Sequence, residues 1–420
     1  MTAPLSRNRN YQLLWGSQAL SAFGINASTI ALPLLVLAMT GSPAATGLVL
    51  GTSAAAQLLA GIPAGALVDR WNHKKVMLCC EAAQAIAAAS LVVALLWDVA
   101  SVAYIVVVAA VLGVCAALFE PAEDACLPNL MPNEQLSTAV AMNSARGHLA
   151  QLSGTAAGGF LFAVGRFVPF AVDVLTHTMA FFFLMFLRPP PRKVRAEPVG
   201  HLGREMAAGL RWVWQHRPVR VIGLLAVALN LFLTAYFVVI IVVAQARGVP
   251  SGEIGIMAAM LGVGGILGAL SAPYLHRRMS PYLSIIAVFW ALTALTPLAI
   301  FISNGYLMGA LFAAMAFLVP TANTTIETYL LLLTPDELRG RMSGVTGMAT
   351  GVAGAVGPAL GGLLMEVVAS NFAILLCAAG IGAITLLGAI NPTLRKFPRH
   401  AAAAGVPQAT VRQQEQRVEP

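Results

Sequence analysis

Long apolar runs separated by short polar interruptions dominate the chain, and their spacing predicts twelve helices. They fall near residues 11–38, 44–68, 76–97, 101–120, 139–164 and 167–187, then 220–245, 253–275, 282–302, 306–333, 342–367 and 372–391. A helix needs about 20 mainly apolar residues to cross a bilayer, and every run is that long. The runs alternate too little between apolar and polar to be barrel strands. The expected fold is therefore an all-α membrane protein with twelve transmembrane helices.

The interruptions repeat. Adding 203 to a position in the first half finds its landmark again: Gly61 and Gly65 become Gly264 and Gly268, and Lys74-Lys75 becomes Arg277-Arg278. Pro132 and Glu134 become Pro335 and Glu337, and Gly154, Gly158 and Gly159 become Gly357, Gly361 and Gly362, with no gap required between them. Tandem halves in a membrane chain predict a pseudo-two-fold axis along the membrane normal and a path between the halves, a transporter's architecture. The expected division is a six-helix half over 1–187, a cytoplasmic linker over 188–219, a second six-helix half over 220–391 and a disordered tail over 392–420. The linker opens with Arg188, three prolines and Arg192, which stop a helix. Met206, Leu210 and Val213 then recur at helical spacing, as either a short helix on the inner membrane surface or a solvated connector.

Composition agrees with a membrane: 58% of residues are hydrophobic and 10% charged, against about 25% charged in soluble domains. Lys and Arg favour cytoplasmic loops. With the N-terminus inside, the outer loops carry only Arg166 and Arg247, while Arg7, Arg9, Arg70, Lys74, Lys75, Arg277, Arg278, Arg339 and Arg341 lie inside. Both termini are thus expected in the cytoplasm, with the chain a multi-pass protein of the plasma (inner) membrane. The net charge of +8 then reflects topology and anionic lipid, not nucleic acid. The first apolar stretch, with Gln18 and Asn26, is too long for a cleavable signal. Five cysteines lie in helices or on the inner side, where no disulfide is expected. No Gly-rich loop ends in Lys-Ser or Lys-Thr to cradle ATP, and no His/Cys/Glu set has metal-ligand spacing, so neither an enzyme nor a cofactor or metal is expected.

Between the second and third helices, residues 61–75 read Gly-Ile-Pro-Ala-Gly-Ala-Leu-Val-Asp-Arg-Trp-Asn-His-Lys-Lys. This resembles the signature loop of the major facilitator superfamily, matched at Gly65, Asp69, Arg70, Lys74 and Lys75. Asn72 stands where the family has Gly, and Asn tolerates the left-handed backbone that a tight turn would need. Asn10 to Trp15, Thr40 to Pro43, Pro121-Ala122, Leu127-Pro128 and Pro335 to Arg341 are similar to the branch holding macrolide-efflux proteins and the enterobactin exporter. The resemblance implies that the loop meets the start of helix eleven, beside Arg339 and Arg341, and holds the cytoplasmic side shut. Asp69 would there face a positive helix N-terminus. The second half has Ala272 in place of that acid.

Gly61/Gly65, Gly154/Gly158, Gly264/Gly268 and Gly357/Gly361 each leave a bare strip on which another helix can pack closely. Pro358 completes a Gly-Pro motif in helix eleven that the first half lacks, which weakens the antiport inference such motifs support. Ionisable groups in a bilayer cost about 2.5–3.5 kcal/mol each, so their survival suggests use. Arg146 serves either to attract a polar or anionic substrate group or to neutralise a buried carboxylate. Asp173 and His177, four apart on helix six, share a face and are candidates for a proton relay or a structural pair. Glu81 reads as an acid favouring the start of helix three. Asp124 and Glu327, related by the repeat, are gate charges, coupling carboxylates or solvated helix ends.

In this family the cavity is walled chiefly by helices one, four, seven and ten. That implies Gln18 and Asn26, Asn230 and Thr234, and Asn323 and Thr324 as cavity candidates, with Arg146 beside them. Few charges among many apolar residues suit a largely hydrophobic cargo. The branch often has an acid after the helix-one glycine, but Gly24 is followed by Ile25 and Asn26. The expectation is a monomeric secondary transporter in the lipid bilayer exporting a hydrophobic or amphipathic small molecule, such as a drug, antibiotic or siderophore-like metabolite, against protons. The alternatives are an importer or facilitator of a small metabolite, and a non-transporting sensor or lipid-handling protein.

Overall fold

The computed structural model describes residues 5–188, 210–334 and 339–395. Most of the expected linker, the chain beyond Arg395 and Pro335 to Glu337 lie outside the described residues, as do the surroundings of Gly65 and the side chains of Asp69, Arg277, Arg278, Arg339 and Arg341. The first six long helices are α1 (Arg9–Thr40), α2 (Pro43–Arg70), α3 (His73–Leu96), α4 (Val102–Cys126), α5 (Asn133–Val164) and α6 (Val168–Phe186). The second six are α7 (Arg217–Ala246), α8 (Ser251–Arg278), α9 (Pro281–Leu295, continued as a 3-10 turn to Phe301), α10 (Gly305–Leu333), α11 (Arg339–Val367) and α12 (Ser370–Ile390). In hydrocarbon no water can satisfy a free backbone group, so the helix is the structure these runs must adopt. Eleven of the described helices are long and apolar enough to cross a membrane. The twelfth, α5, is 32 residues long but carries Asn143, Arg146, His148 and Gln151 through its middle.

Side-chain caps set several starts. Asn8, Ser42, Asn72, Ser101 and Ser280 each accept a hydrogen bond from the backbone N–H three residues on. The left-handed turn expected at Asn72 is absent: its φ is −73° and ψ is 112°, the extended geometry of an N-cap. At the end of α1 the backbone does turn left-handed, at Gly41 with φ 65°. Lys74 donates from Nζ to the Met185 and Leu187 carbonyls, both at 2.7 Å, so α3 closes the C-terminus of α6.

α1 to α6 pack among themselves, as do α7 to α12, and the two bundles meet chiefly along α2 with α11 and α5 with α8. Glycine against carbonyl makes these joints. A Cβ on Gly154 or Gly158 would strike the Phe23 or Ala27 carbonyl of α1, and one on Gly357 or Gly361 the Leu231 or Ala235 carbonyl of α7. Between bundles, Gly159 sits on the Ser251 carbonyl and Gly255, and Gly362 on the Pro43 carbonyl and Gly47.

These paired contacts correct the constant offset. The α5 and α11 glycines are 203 apart, but their partners Ala27 and Ala235 are 208 apart (235 − 27), as are Pro43 and Ser251 (251 − 43). Five residues are therefore lost from the second half between α8 and α11. The match of Gly61 to Gly264 is accordingly out of register. Gly264 and Gly268 press on the Ala313 and Phe317 carbonyls of α10, whereas Gly61 has nothing within 4 Å.

Candidate functional site

Two features stand out: a cavity between the bundles, and a polar cluster buried beside it. The cavity holds 830 Å³ and touches helices from both halves. Its wall is largely aliphatic and aromatic, with Leu32, Phe237, Leu261, Phe312 and Met315, and is broken by Gln57, Gln84, His148, Gln151, Asp173 and Thr234. At one end the bundles are in direct contact through the α2–α11 and α5–α8 joints, and at the first of these Glu366 accepts from the Ser42 hydroxyl at 3.0 Å and the Ala44 N–H at 3.3 Å. A carboxylate suits that helix N-terminus, since the first N–H groups of α2 point toward it. Toward the other end His148 and Gln151 border the cavity yet are exposed. A second cavity of 630 Å³ is lined by Trp214, Arg220, Asn230, Asn323, Glu327 and Thr350.

The buried cluster joins α1, α3 and α6. His177 Nδ1 lies 2.6 Å from Glu81 Oε2, and His177 Nε2 lies 3.4 Å from Asp173 Oδ1. The second contact is of ion-pair length without hydrogen-bond alignment. From α1, Gln18 Nε2 and the Ser21 hydroxyl each reach the Glu81 carboxylate at 3.4 Å. Glu81 and His177 are fully buried, and Asp173 is 1% exposed although it borders the cavity. The reading of Glu81 as the acid at the start of a helix is thus corrected. α3 begins at His73, and Glu81 lies two turns inside it, facing α1 and α6.

A second buried pair lies between α4 and α5. Arg146 Nη2 is 2.9 Å from Glu123 Oε1, with side chains 10% and 11% exposed, and Asn143 donates to the same carboxylate. Of the two readings of Arg146, the geometry is that of neutralising a carboxylate. That carboxylate is Glu123, which the sequence reading passed over in favour of its neighbour Asp124. Asp124 is exposed, as is Glu327.

The remaining cavity candidates divide. Thr234 borders the central cavity and also donates to the Ala353 carbonyl of α11 at 3.3 Å. Asn230 and Asn323 line the second cavity. Gln18 points into the buried cluster, Asn26 donates to the Ala22 carbonyl of its own helix, and exposed Thr324 donates to the Pro320 carbonyl. Gln57, Gln84, His148 and Gln151 line the cavity from α2, α3 and α5; on α5 the expected cavity residue was Arg146, which is absent from this wall. Of the expected gate, Arg70 and Lys75 are exposed and Lys74 is engaged on α6.

Comparison with known proteins places this architecture. A family model described as "Transmembrane secretion effector" matches residues 1–419. The multidrug efflux pump Tap of Mycolicibacterium fortuitum is 27% identical over 401 residues, covering 90% of this chain and 95% of Tap. The enterobactin exporter EntS of Escherichia coli is 25% identical over 419 residues, covering 94% and 95%. The crystal structure of the nucleoside transporter NupG superposes with a TM-score of 0.76 at 12% identity, over 93% of this chain and all of that one, a likeness of fold alone. With the family model spanning nearly the whole chain, and with twelve long helices in two bundles and a cavity between them among the described residues, this protein belongs to the transmembrane secretion effectors of the major facilitator superfamily.

Proposed function

We propose that this transporter exports a hydrophobic or amphipathic small molecule by proton antiport. The observation that carries the reading is the wall of the 830 Å³ cavity, apolar over most of its area, with a few amides and hydroxyls and the single acid Asp173. Such a surface gains affinity from apolar burial and orients its ligand through a few polar groups. The names of Tap and EntS, an efflux pump and an exporter, favour the outward direction. Buried ionisable groups beside the cavity supply the chemistry for proton coupling, and of the candidates Asp124, Glu327, Asp173 and His177 the last two are the buried ones.

The Lys and Arg distribution supports a cytoplasmic position for both termini. On that orientation the end where the bundles meet faces out and the cavity is open inward. The division at 1–187, 188–219 and 220–391 is the natural unit of motion, the two bundles rocking about the α2–α11 and α5–α8 joints. Asp69, with Arg339 and Arg341, is our candidate latch for the opposite, cytoplasmic closure. We expect the chain to act as a monomer in the bilayer.

Inverted membrane vesicles with and without the chain test the reading. A panel of amphipathic dyes should accumulate only in vesicles carrying it, and only under an inward-acidic pH gradient. Uptake independent of the gradient would remove the antiport, accumulation in the reverse direction would favour an importer, and no flux for any dye together with unchanged drug sensitivity of cells would favour a sensor.

A further inference from the structure

We propose that Glu81, His177 and Asp173 form one proton-exchange site, sealed within the first bundle and reaching the cavity through Asp173 alone. This inference rests on the antiport reading and names the site that reading needs. Two carboxylates and one imidazole lie in line across α3 and α6, with contacts of 2.6 and 3.4 Å, and none is more than 1% exposed.

Charge counting defines the exchange. With the imidazole protonated and both carboxylates ionised, the cluster carries one net negative charge in the bilayer interior. One further proton makes it neutral. Net charge in hydrocarbon is costly and a neutral hydrogen-bonded set is not, so the cluster has two accessible states that differ by one proton.

The surroundings favour transfer between these sites. α1 offers Gln18 and Ser21, neither of which titrates, and the Ser21 hydroxyl bridges to both Glu81 and His177 Nδ1 at 3.4 and 3.3 Å. α3 adds Cys80 and α4 adds Cys115, two buried free thiols that face one another. α5 brings His148 to the same cavity wall, although no described ion pair or hydrogen bond joins it to the cluster. No Lys or Arg among the described residues pairs with the cluster, so the odd negative charge has no fixed counterion. Asp173 Oδ1 and His177 Nε2 are both buried without a hydrogen bond, which leaves the cavity end of the relay unsatisfied in this state. The missing acid of helix one is thereby supplied from α6, opposite the same glycine: Gly24 faces Asp173.

Infrared difference spectroscopy on the full chain in liposomes, stepping the buffer between pH 5 and pH 9 (roughly the span over which His and perturbed carboxyls titrate), tests this without a cargo. The wild type should show one carboxyl group gaining its proton at low pH, with the bands of the imidazole, protonated throughout, shifting as its carboxylate partner loses charge. Glu81→Gln and Asp173→Asn should each remove or displace that carboxyl signal, and His177→Gln should remove the imidazole component and shift the carboxyl one. Amide bands and helix content monitor folding, and Ser21→Ala, which deletes only the bridge, provides a mild variant expected to shift the titration. A wild type without a titrating buried carboxyl, or a signal unchanged in all four variants, overturns the site. If the signal behaves as expected while dye flux ignores the pH gradient, the site stands and the antiport reading falls; if flux follows the gradient in every variant, the reverse holds.

Discussion

Gly24 on α1 faces Asp173 on α6 with no room for a side chain between them. A Cβ on Gly24 would fall 2.6 Å from Asp173 Oδ1 and would overlap the Thr176 hydroxyl. The glycine is what allows a polar face of α6 to lie flush on α1, bringing His177 within reach of Ser21 and Glu81.

Gly24→Ala should therefore destabilise the first bundle, by about the 1–3 kcal/mol typical of overpacking. Thr176→Ala in the same chain removes one of the two obstructing oxygens and should recover part of the loss. Thermal unfolding of the purified protein in detergent, run as a double-mutant cycle, reads the coupling directly. Additive effects of the two changes would mean that the α1–α6 contact is looser than described.

The Glu123–Arg146 pair supports a second prediction. Both groups are about nine-tenths buried at 2.9 Å, and removing one partner strands the other, at a cost of about 3–5 kcal/mol. Arg146→Met should lower the melting temperature more than the double change Glu123→Gln with Arg146→Met, because the neutral pair leaves no lone charge behind. If the double variant melts lower than the single one, the pair acts through hydrogen bonds to its neighbours and not through charge.

How far the sequence could be read depends on which physics acts along the chain and which across it. Hydropathy acts along it, so the helix count was legible; α5 was counted among the apolar runs although, of the twelve long helices described, it is the one that falls short of them. The glycine strips of α5 and α11 were legible because close helix approach needs bare backbone at i and i+4. The strip assigned to Gly61 was not, because a constant 203 offset hid the five-residue loss revealed by the partners of Gly159 and Gly362. Glu81 and Glu123 were missed for a related reason: the expected helix bounds stopped short. α3 starts three residues before the expected 76 and α4 runs six past the expected 120. Both acids were thus read as helix-end groups or passed over. For Glu123 a signal did exist. It falls on the face of α4 shared by buried Phe119, Ala122 and Cys126, whereas Asp124 is turned one step away. The convergence of α1, α3 and α6 on His177 is tertiary, and no spacing announces it.

The joint between halves makes a third prediction. Gly362 lies against the Pro43 carbonyl and Gly47, so a leucine there has no space unless α2 and α11 separate. Gly362→Leu should open the end held by Ser42 and Glu366. Spin labels at exposed Thr40 and Val367 would report longer distances than in the otherwise unaltered chain. Gly159→Leu, at the equivalent α5–α8 joint, should act the same way, while Gly61→Leu, with nothing within 4 Å, should not. Unchanged distances in both joint variants would show that the bundles are held together elsewhere.

The last prediction separates exposed acids from buried ones. Asp124 and Glu327 sit at exposed positions near the ends of α4 and α10, and Glu327 borders the 630 Å³ cavity. An exposed carboxylate is stabilised by water more than by protein partners, so little of the carrier's conformational energy depends on its charge. Exposed charge interactions are worth about 0–1 kcal/mol, which bounds their effect on a rate to roughly fivefold. Asp124→Asn and Glu327→Gln should accordingly alter dye uptake into inverted vesicles by no more than that, and uptake should still follow the imposed pH gradient. Asp173→Asn should instead abolish gradient-driven uptake while leaving downhill dye exchange measurable. If Glu327→Gln removes the gradient dependence and Asp173→Asn keeps it, the coupling proton travels through the second half, and the buried cluster of the first half is structural.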